Sequence, residues 1–429
     1  MKLYDVIVVG AGTSGMMAAI AAATAGSKTL LIEKNKRVGK KLLLTGGGRC
    51  NVTNNRPADE IIAHIPGNGK FLYSAFSQFN NYDIMEFFES NGTHLKEEDH
   101  GRMFPVTDRS KTIVETLFNQ LEQLGVTIYT EAKVEKVLHK DGQTIGIALE
   151  HEKIYAPCVI LTTGGRTYPS TGSTGDGYKL AKRLGHTISP LYATESPIIS
   201  NDYFIQDKTL QGLSLQNIAL SVLNEKGKVV VTHQMDLLFT HFGISGPAAL
   251  RCSSFVNQEL TKHEQHPVTL QLDLFPEVER QNLKKEVNTK FFEQPEKSVK
   301  NALKNFIPER LMDFILSQLI MSDLSAKQVS DQQLDQFIQQ LKSFKITAEK
   351  TLPIEKSFVT GGGISLKEIQ PKTMESKLVN GLFFAGELLD INGYTGGYNV
   401  TAAFVTGHVA GTHAAAIAEY TCLPDLESD

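Results

Sequence analysis

The chain has 429 residues, of which 41% are hydrophobic, and 43 basic against 47 acidic side chains give a net charge of −4. At roughly 150 residues per domain, this length predicts two or three domains. The apolar content excludes an intrinsically disordered chain. The near balance of charges argues against electrostatic capture of nucleic acid over the whole surface, but leaves a local site open.

Four cysteines, none in a C-x-x-C pair, argue against a disulfide framework and a metal centre. The longest nearly apolar stretch, Met16 to Ala25, has about half of the length that a bilayer span needs. An apolar strand begins by Leu3, which leaves no room for a signal peptide. We therefore expect a cytoplasmic protein without a membrane partner.

The first secondary-structure elements form a strand–turn–helix–strand unit. Leu3–Val9 predicts a strand, the Ala-rich segment after a glycine turn predicts a helix ending near Ala25, and Thr29–Ile32 predicts a second strand. The turn reads GAGTSG over 10–15, which is the G-x-G-x-x-G fingerprint. In this context the fingerprint indicates a dinucleotide-binding unit.

Each residue of the fingerprint has a physical role. Gly10 allows the tight turn, Gly12 lets the backbone approach a pyrophosphate, and Gly15 lets the helix pack close to the strand. The helix N-terminus offers free N–H groups and partial positive charge to the phosphates. Glu33 ends the second strand and can accept hydrogen bonds from ribose hydroxyls. The alternative is a glycine-rich turn in an unrelated α/β protein.

The next segment indicates that the cofactor is FAD rather than NAD. A plain NAD domain would continue with a helix and a third parallel strand, whereas here the chain reads TGGGRCN over 45–51. Such bare backbone suits the close approach of a large flat ligand or a second phosphate.

The middle of the first domain predicts an inserted antiparallel sheet. Ser110–Leu124 has one apolar helical face, and Asp141-Gly142 is a hairpin turn. We expect three short strands at about 126–130, 133–139 and 144–149, followed by a strand over Ile154–Thr162.

These features together resemble the glutathione-reductase-type FAD fold. The matching parts are GAGTSG with Glu33, LTTGG (161–165) and GLFFAGE (381–387). The resemblance implies that Glu387 contacts the flavin ribitol, and that GYTGGYNV (393–400) opens a helix whose N-terminus points at the flavin ring. The segment PSTGSTGDGY (169–178) is also similar to the fumarate reductase and aspartate oxidase branch.

A more specific resemblance covers nearly the whole chain. TGGGRCNVTN (45–54), TGSTGDGY (171–178), LFTHFGISGPAALR (238–251), FVTGGG (358–363) and GELLDINGYTGGYN (386–399) resemble the bacterial three-domain flavoproteins of the BaiN type, some of which are described as aminoacetone oxidases. The resemblance implies non-covalent FAD and an FAD-dependent oxidoreductase.

The fingerprint and the resemblance assign the FAD contacts. They fall on Gly10, Gly12, Thr13, Ser14, Gly15, Glu33, Lys34, Lys41, Thr45, Gly46, Gly47, Gly48, Asn51, Val134, Thr163, Gly164, Gly165, Gly386, Glu387, Asp390, Gly396, Gly397, Tyr398 and Asn399.

The expected fold class is α/β, a glutathione-reductase-type FAD-binding Rossmann domain with two insertions. The FAD domain is split between 1–190 and 356–429, a β domain takes 191–275 and 344–355, and a helical domain takes 276–343. Between Lys284 and Lys304, six lysines against three glutamates indicate either an RNA-facing patch or, more in keeping with surface charge in general, a solvated helix face.

Five residues are candidates for the chemistry. Arg49 either stabilises flavin or substrate charge or forms a salt bridge, and Cys50 is either a thiol acid or a buried small residue. Asn51 binds polar atoms of flavin or substrate, or caps a turn. His241 is an acid or base, or a structural histidine, and Tyr394 walls the substrate pocket or packs in the core.

The resemblance favours oxidation of a small primary amine such as aminoacetone, with O2 as acceptor and with ammonia and hydrogen peroxide as products. The alternative is reduction by NAD(P)H of an activated C=C, in a steroid enone or in a uracil of ribosomal RNA. A redox sensor is the non-enzymatic interpretation, although it lacks an evident cysteine pair. Only the interpretation as a C=C reductase gives the chain an RNA partner. The sequence does not assign an oligomeric state.

Overall fold

The computed structural model describes residues 2–262, 264, 266–421 and 423, so Cys422 lies outside the described residues. The helices of this part of the chain are α1 (Thr13–Thr24), α2 (Ala58–Ala63), α3 (Tyr73–Phe76), α4 (Asn81–Ser90), α5 (Ser110–Gln123), α6 (Asp176–Arg183), α7 (Tyr203–Gln206), α8 (Pro247–Lys262), α9 (Arg280–Glu293), α10 (Val299–Ala302), α11 (Glu309–Gln318), α12 (Asp331–Ser343) and α13 (Tyr398–Tyr420).

The strands alternate with these helices along the chain. They are β1 (Lys2–Leu3), β2 (Val6–Val9), β3 (Thr29–Ile32), β4 (Thr53–Asn54), β5 (Leu95–Glu98), β6 (Arg102–Pro105), β7 (Thr127–Tyr129), β8 (Lys136–Lys140), β9 (Gln143–Ala148), β10 (Lys153–Tyr155), β11 (Cys158–Leu161), β12 (Tyr192–Thr194), β13 (Ile198–Ile199), β14 (Ser214–Leu223), β15 (Val229–Phe239), β16 (Gly243–Ser245), β17 (Val268–Asp273), β18 (Phe344–Ala348), β19 (Lys350–Thr351), β20 (Val359–Gly361) and β21 (Leu382–Phe384).

The chain divides into two compact units. The first contains Met1–Tyr192 and Ile354–Asp429, and the second contains Ala193–Pro353. Each unit has its own cluster of buried apolar side chains. The second unit holds both the segment expected as a β domain and the segment expected as a helical domain, and the division between those two stays a prediction.

A parallel five-stranded sheet forms the centre of the first unit. Its order is β21–β11–β2–β3–β7, and every neighbouring pair is parallel. Strands β2, β3 and β11 are buried along their whole length, which explains their continuous apolar runs. The fold class, α/β with a Rossmann-type FAD domain, is confirmed.

Two expectations about this region were wrong. The strand expected at 126–130 is β7, which joins the parallel sheet beside β3 rather than the antiparallel one. The strand expected over Ile154–Thr162 is divided into β10 and β11, which belong to different sheets. Pro157 lies at the division, where the missing N–H ends the ladder.

The antiparallel sheet has the order β1–β10–β9–β8. Its predicted hairpin is confirmed, because β8 and β9 pair across Asp141 and Gly142, which both have positive φ. A further three-stranded sheet, β4–β6–β5, was not predicted. Its strand β5 reads LKEE and is mostly half-exposed, and β4 has only two residues, so the hydrophobic signal of this sheet is weak.

The first and last helices of the first unit pack directly on each other. A Cβ at Gly407 would lie 2.3 Å from the Ser14 carbonyl oxygen, and one at Gly411 would lie 2.1 Å from that of Ala18. Glycine is therefore required at both positions of α13. This contact brings the C-terminal helix against the helix that begins at the glycine fingerprint.

The second unit contains an antiparallel seven-stranded sheet of order β18–β17–β14–β15–β16–β13–β19. Helices α9 to α12 supply the rest of its core, and Ser330 and Gln333 form the predicted capping box of α12. Helix α8 was missed, because the region was assigned to strands alone. Its buried Ala248, Cys252 and Val256 follow the helical period that would have indicated it.

Candidate functional site

The glycine fingerprint lies at the carboxyl end of β2 and is shaped by close packing. A Cβ at Gly15 would lie 1.8 Å from the Gly10 carbonyl oxygen, and one at Gly10 would lie 2.7 Å from the Thr162 carbonyl oxygen. Gly12 differs, since a Cβ there would meet nothing within 4 Å. The turn therefore leaves open space at Gly12, beside the N-terminus of α1, which is where a pyrophosphate binds in this type of fold.

Glu33 follows β3 at the neighbouring strand end and is buried. Its Oε2 accepts the N–H of Ala11 at 2.9 Å, and its Oε1 accepts the backbone N–H of Asn35 at 2.8 Å. An ionised carboxylate has further lone pairs for ribose hydroxyls. The hydrogen bond to Ala11 fixes the position of the acid relative to the glycine turn.

The next two strand ends complete one edge of the central sheet. Thr163, Gly164 and Gly165 follow β11, and Gly386 and Glu387 follow β21. The Thr163 hydroxyl is buried without a hydrogen-bond partner among the described residues. The carboxyl ends of adjacent parallel strands are where cofactors bind in open α/β sheets. The structure thus gathers four predicted segments, including the glycine turn and Glu33, at one edge.

Glu387 is the centre of a polar network at this edge. Its Oε2 accepts from the Lys41 Nζ at 2.6 Å, and its Oε1 accepts from the Thr360 N–H at 2.9 Å and from the Thr167 hydroxyl at 3.2 Å. Burial raises the pKa of Glu387, but the charge and hydrogen bond of Lys41 and the Thr360 N–H outweigh it and hold the pKa below its usual value. Thr167 and Thr360 were missed as site residues, although Thr360 lies in the quoted FVTGGG motif.

The triple-glycine segment is open rather than packed. Gly46, Gly47 and Gly48 are exposed and have φ values of 57°, 66° and 87°, a region that favours glycine. A Cβ at Gly47 or Gly48 would meet nothing within 4 Å, whereas one at Gly46 would lie 2.8 Å from the Asn51 nitrogen. The segment therefore presents bare backbone, as the sequence predicts for a surface against a flat ligand.

Asn51 connects this segment to the start of α13. With its amide oriented to suit its neighbours, Oδ1 accepts the Gly397 N–H at 2.9 Å and Nδ2 donates to the Thr53 carbonyl at 2.9 Å. Asn54 Nδ2 donates to the Gly396 carbonyl at 3.0 Å. The expected flavin-facing helix start is thus fixed to the triple-glycine region, and Asn54 is a positioning residue that sequence reasoning missed.

Asn399 and the nearby aromatic residues shape the same helix start. Asn399 Oδ1 accepts the Gly393 N–H and its Nδ2 donates to the Gly393 carbonyl, both at 2.8 Å. Tyr398 is buried and stacks on His64, with ring centroids 4.7 Å apart. Tyr394 is half-buried and meets the edge of the same histidine. No sequence signal pointed to His64.

The structure distinguishes the two interpretations of Arg49. Its guanidinium contacts Glu98 at 2.7 Å and Asp108 at 3.3 Å, and it lies over the Phe104 ring at 4.2 Å. The hydrogen bond with Glu98 is the main cause that raises the pKa of Arg49. These contacts describe the salt-bridge alternative.

Cys50 is fully buried at φ 61°. Burial raises the pKa of its thiol to about 12, although a hydrogen bond with Thr45 acts in the opposite direction. A thiol of this kind stays neutral at physiological pH and is a poor nucleophile. The geometry describes the buried small residue rather than a reactive cysteine.

The remaining predicted residues fall in different places. Lys34 pairs with Asp176 at 2.6 Å, which joins the loop after β3 to the start of α6. Val134 is buried before β8, and Asp390 is half-exposed after Glu387. His241 lies in the second unit, exposed and with its ring edge against Phe242.

This arrangement fits a flavin dinucleotide. The open turn at Gly12, the acid at Glu33, the orphaned Thr163 hydroxyl and the bare triple-glycine segment supply groups for a pyrophosphate, a ribose, a ribitol and a ring. Among the described residues there is no His/Cys/Asp/Glu cluster that could hold a metal ion. Fold and site together define an FAD-dependent oxidoreductase with a Rossmann-type FAD domain.

Comparison with known proteins identifies the family. Residues 4–413 match the family described as HI0933-like protein Rossmann domain, and the chain belongs to this family of bacterial FAD-dependent oxidoreductases. It is 30% identical over 400 residues to a ribosomal RNA dihydrouridine synthase from Escherichia coli K12, covering 93% of this chain and 95% of the relative. It is 31% identical over 412 residues to a 3-dehydro-bile acid delta(4,6)-reductase from Clostridium scindens, covering 95% and 98%.

A solved structure shares the fold. The 3-ketosteroid delta1-dehydrogenase from Sterolibacterium denitrificans, in complex with 1,4-androstadiene-3,17-dione, superposes with a TM-score of 0.52 at 13% identity, covering 97% of this chain and all of the other. A search of the described residues for a helix long and apolar enough to cross a membrane finds none.

Proposed function

We propose that the protein reduces the C5=C6 bond of a uracil base in ribosomal RNA, with electrons supplied by NAD(P)H. One observation carries this: two relatives that match nearly end to end are named for adding hydrogen to a ring C=C, one in uridine of ribosomal RNA and one in a bile acid. In uracil and in a 3-keto steroid dienone alike, the C=C is conjugated to a carbonyl. The shared chemistry is hydride addition to an electron-poor C=C.

Amine oxidation, the activity that the sequence resemblance favoured, has less support. Neither of the two relatives is named as an amine oxidase. The uracil substrate is chosen over the steroid because three exposed cations, Lys36, Arg37 and Lys40, follow Glu33 closely and suit the phosphates of an RNA substrate. Oxidation of aminoacetone by O2 is kept as an outcome of the test.

When bound, FAD would supply the two-electron chemistry of hydride transfer between NAD(P)H and one carbon of the C=C, and a proton would add to the other carbon. Glu387, held ionised by Lys41 and the Thr360 N–H, offers its oxygens to the ribitol hydroxyls. The backbone of the triple-glycine segment and the N-terminus of α13 offer N–H groups and partial positive charge to the ring. Asn51 keeps these two segments together.

The side chains predicted as candidates for the chemistry divide into two groups. Cys50 and Arg49 act structurally, because one is buried and neutral and the other is paired with carboxylates. Tyr394, half-buried four residues before α13, walls the substrate pocket. Because the Cys50 side chain is fully buried, we assign the proton for the second carbon to a different group.

The test is an anaerobic two-step mixing experiment on the FAD-bound protein. NADPH or NADH is expected to bleach the flavin, and an in vitro transcribed ribosomal RNA fragment, which contains only unmodified uridine, is expected to restore its absorbance. Mass spectrometry of the digested RNA should then show a nucleoside heavier by two hydrogen atoms. Bleaching by aminoacetone and not by a nicotinamide would overturn the proposal in favour of amine oxidation. Reoxidation by a steroid dienone and not by RNA would overturn the choice of substrate.

A further inference from the structure

The loop after β3 concentrates positive charge. Residues 34–41 read KNKRVGKK, with five cations and no acid in eight positions, in a chain whose net charge is −4. The cations lie between Glu33 and the triple-glycine segment, so the loop runs along the edge of the predicted FAD site. The sequence predicts Lys34 and Lys41 as FAD contacts, favours a solvated lysine over a phosphate contact for Lys40, and assigns no role to Lys36 and Arg37.

Two of the five cations are neutralised by carboxylates. Lys34 pairs with Asp176 and Lys41 pairs with Glu387, each at 2.6 Å. The other three, Lys36, Arg37 and Lys40, are exposed. None of these three has a carboxylate within 4 Å of its charged nitrogens in the part of the chain that the structure describes. Lys40 instead donates to the uncharged Ser170 carbonyl at 2.6 Å, so no carboxylate neutralises its charge there.

An aromatic pair lies near Lys40, one of these three cations. The Tyr168 and Phe358 rings have centroids 6.0 Å apart, and Phe358 is 47% exposed. The pair is connected to the basic loop through Ser170, two residues after Tyr168, and through Thr167, whose hydroxyl accepts from Lys41 at 2.5 Å. An exposed aromatic residue next to unpaired cations is the combination with which proteins bind single-stranded nucleic acid.

We propose that Lys36, Arg37, Lys40, Tyr168 and Phe358, together the basic–aromatic surface, bind the unpaired RNA that flanks the reduced uracil. The proposal rests on the proposed function, since it names the surface by which that substrate is recognised. The cations contact backbone phosphates, and the aromatic pair stacks on a neighbouring base. Phosphate contacts position the RNA, whereas stacking holds a base out of its helix.

The lysines of α9 and α10 that the sequence offered as an RNA-facing patch are a weaker candidate. Lys284 pairs with Asp335 at 2.7 Å, and Lys300 pairs with Glu309 and Asp313, each at 2.7 Å. At Lys284 and Lys300, binding phosphate requires breaking these ion pairs. On the basic–aromatic surface the three cations are available without that step.

The experiment measures RNA affinity against salt concentration. FAD-bound wild type and the K36Q/R37Q/K40Q variant are titrated with a single-stranded, uridine-containing ribosomal RNA fragment at several KCl concentrations. Each phosphate contact on a single strand contributes about 0.7 to the slope of log affinity against log salt. The triple variant is expected to lower the slope by about 2 and the affinity near 0.1 M salt by about 10- to 100-fold.

Two further variants sharpen the test. F358A is expected to weaken binding by roughly tenfold without changing the salt slope, because stacking releases no counterions. The matched control, K208Q/K226Q/K228Q, removes the same charge from exposed lysines of the second unit that lie outside the Lys284–Lys304 patch, and it should leave slope and affinity unchanged. An equal loss in the control would overturn the proposal, since it would show attraction by total charge.

The flavin content distinguishes a role in RNA binding from a role in FAD binding. The ratio of flavin to protein absorbance should be the same in wild type and in K36Q/R37Q/K40Q, and loss of FAD from the variant would overturn the proposal. Unchanged RNA affinity in the variant would also overturn it, while uracil reduction by the wild type would leave the proposed function intact. A wild type that binds RNA through this surface but reduces only a free enone would overturn the proposed function alone.

Discussion

The two glycine-rich segments of the first unit, 10–15 and 46–48, use glycine for different reasons. In the first, glycine is required because neighbouring backbone occupies the space of a Cβ, as at Gly10 and Gly15. In the second, glycine is required because φ is positive, while the space around Gly47 and Gly48 is open. Close packing requires glycine in the first segment, whereas an exposed backbone with positive φ requires it in the second.

The difference teaches where to look for ligand contacts. A glycine that packs on protein backbone supports the fold, whereas a glycine in open space leaves room for something that is not protein. Gly12 is the one position of the first segment with the character of the second, since a Cβ there meets nothing. Substitutions that separate folding from FAD binding therefore test the comparison directly.

The largest effect is expected at Gly15. Gly15→Ala places a Cβ 1.8 Å from the Gly10 carbonyl oxygen, so the backbone must shift and the free energy of unfolding should fall by about 3 kcal/mol or more. Chemical denaturation of the FAD-free protein measures this. Gly12→Ala is the matched control, and it should keep stability within about 1 kcal/mol while weakening FAD affinity at least about tenfold. Equal destabilisation by both substitutions would break the comparison.

A second prediction concerns Glu387, whose role combines packing and ligand binding. Glu387→Gln should lower stability by about 1–3 kcal/mol near pH 7, because it removes charge-assisted hydrogen bonds from Lys41 and the Thr360 N–H. The folded pKa of Glu387 is lowered, so this stabilisation is complete above the unfolded pKa of about 4.3 and is lost as the pH falls through the folded pKa.

Unfolding curves of wild type and Glu387→Gln between pH 7 and pH 3 check this dependence. The difference in unfolding free energy should be constant down to about pH 5 and should shrink below it. A Lys41→Met variant lacks the cation that lowers the pKa of Glu387, so it should lose the same pH-dependent part of the unfolding free energy. A difference that stays constant to pH 3 would contradict an ionised Glu387 in the folded protein.

A smaller effect is expected in the open segment. Gly47→Ala meets no neighbouring atom, so only the positive φ opposes it, and stability should fall by about 1 kcal/mol. Gly46→Ala, whose Cβ lies 2.8 Å from the Asn51 nitrogen, should be worse. Urea denaturation of the FAD-free variants measures both, and the reverse order would show that the segment is packed rather than open.

The smallest effect is expected for Arg49. Arg49→Met removes the ion pairs with Glu98 and Asp108 but no group near the flavin, so kcat/KM should change less than about twofold. A guanidinium that stabilises charge at the ring would instead be worth about a hundredfold. Steady-state kinetics with the RNA substrate distinguishes these two roles of Arg49, and Glu98→Gln serves as the control for the ion pair.

Much of the fold could be predicted because its signals are local. The buried strands β2 and β3, the fingerprint turn and the hairpin at Asp141-Gly142 follow from short stretches of sequence. The register of β7 could not be predicted, because its place beside β3 depends on contacts with residues about a hundred positions earlier. Helix α8 was missed although its sequence carries the helical period.

In the candidate site, too, the features with a local sequence signal could be predicted and those that depend on long-range contacts could not. Strand ends placed Glu33, Thr163 and Glu387 in advance, but partners were not predictable. The salt bridges of Arg49 depend on a three-stranded sheet whose sequence gives a weak signal. The stacking of His64 on Tyr398 joins residues more than three hundred positions apart, with no motif at the histidine.

The packing of α13 on α1 limits the order in which parts of the chain can fold during synthesis. Ser14 leaves the ribosome nearly four hundred residues before its partner Gly407. At about 5–20 residues per second this delay is on the order of tens of seconds. The second unit, with its own apolar core, has emerged in the meantime and is free to fold. The nascent chain therefore carries an unfinished nucleotide site, and FAD capture must wait for the last helix.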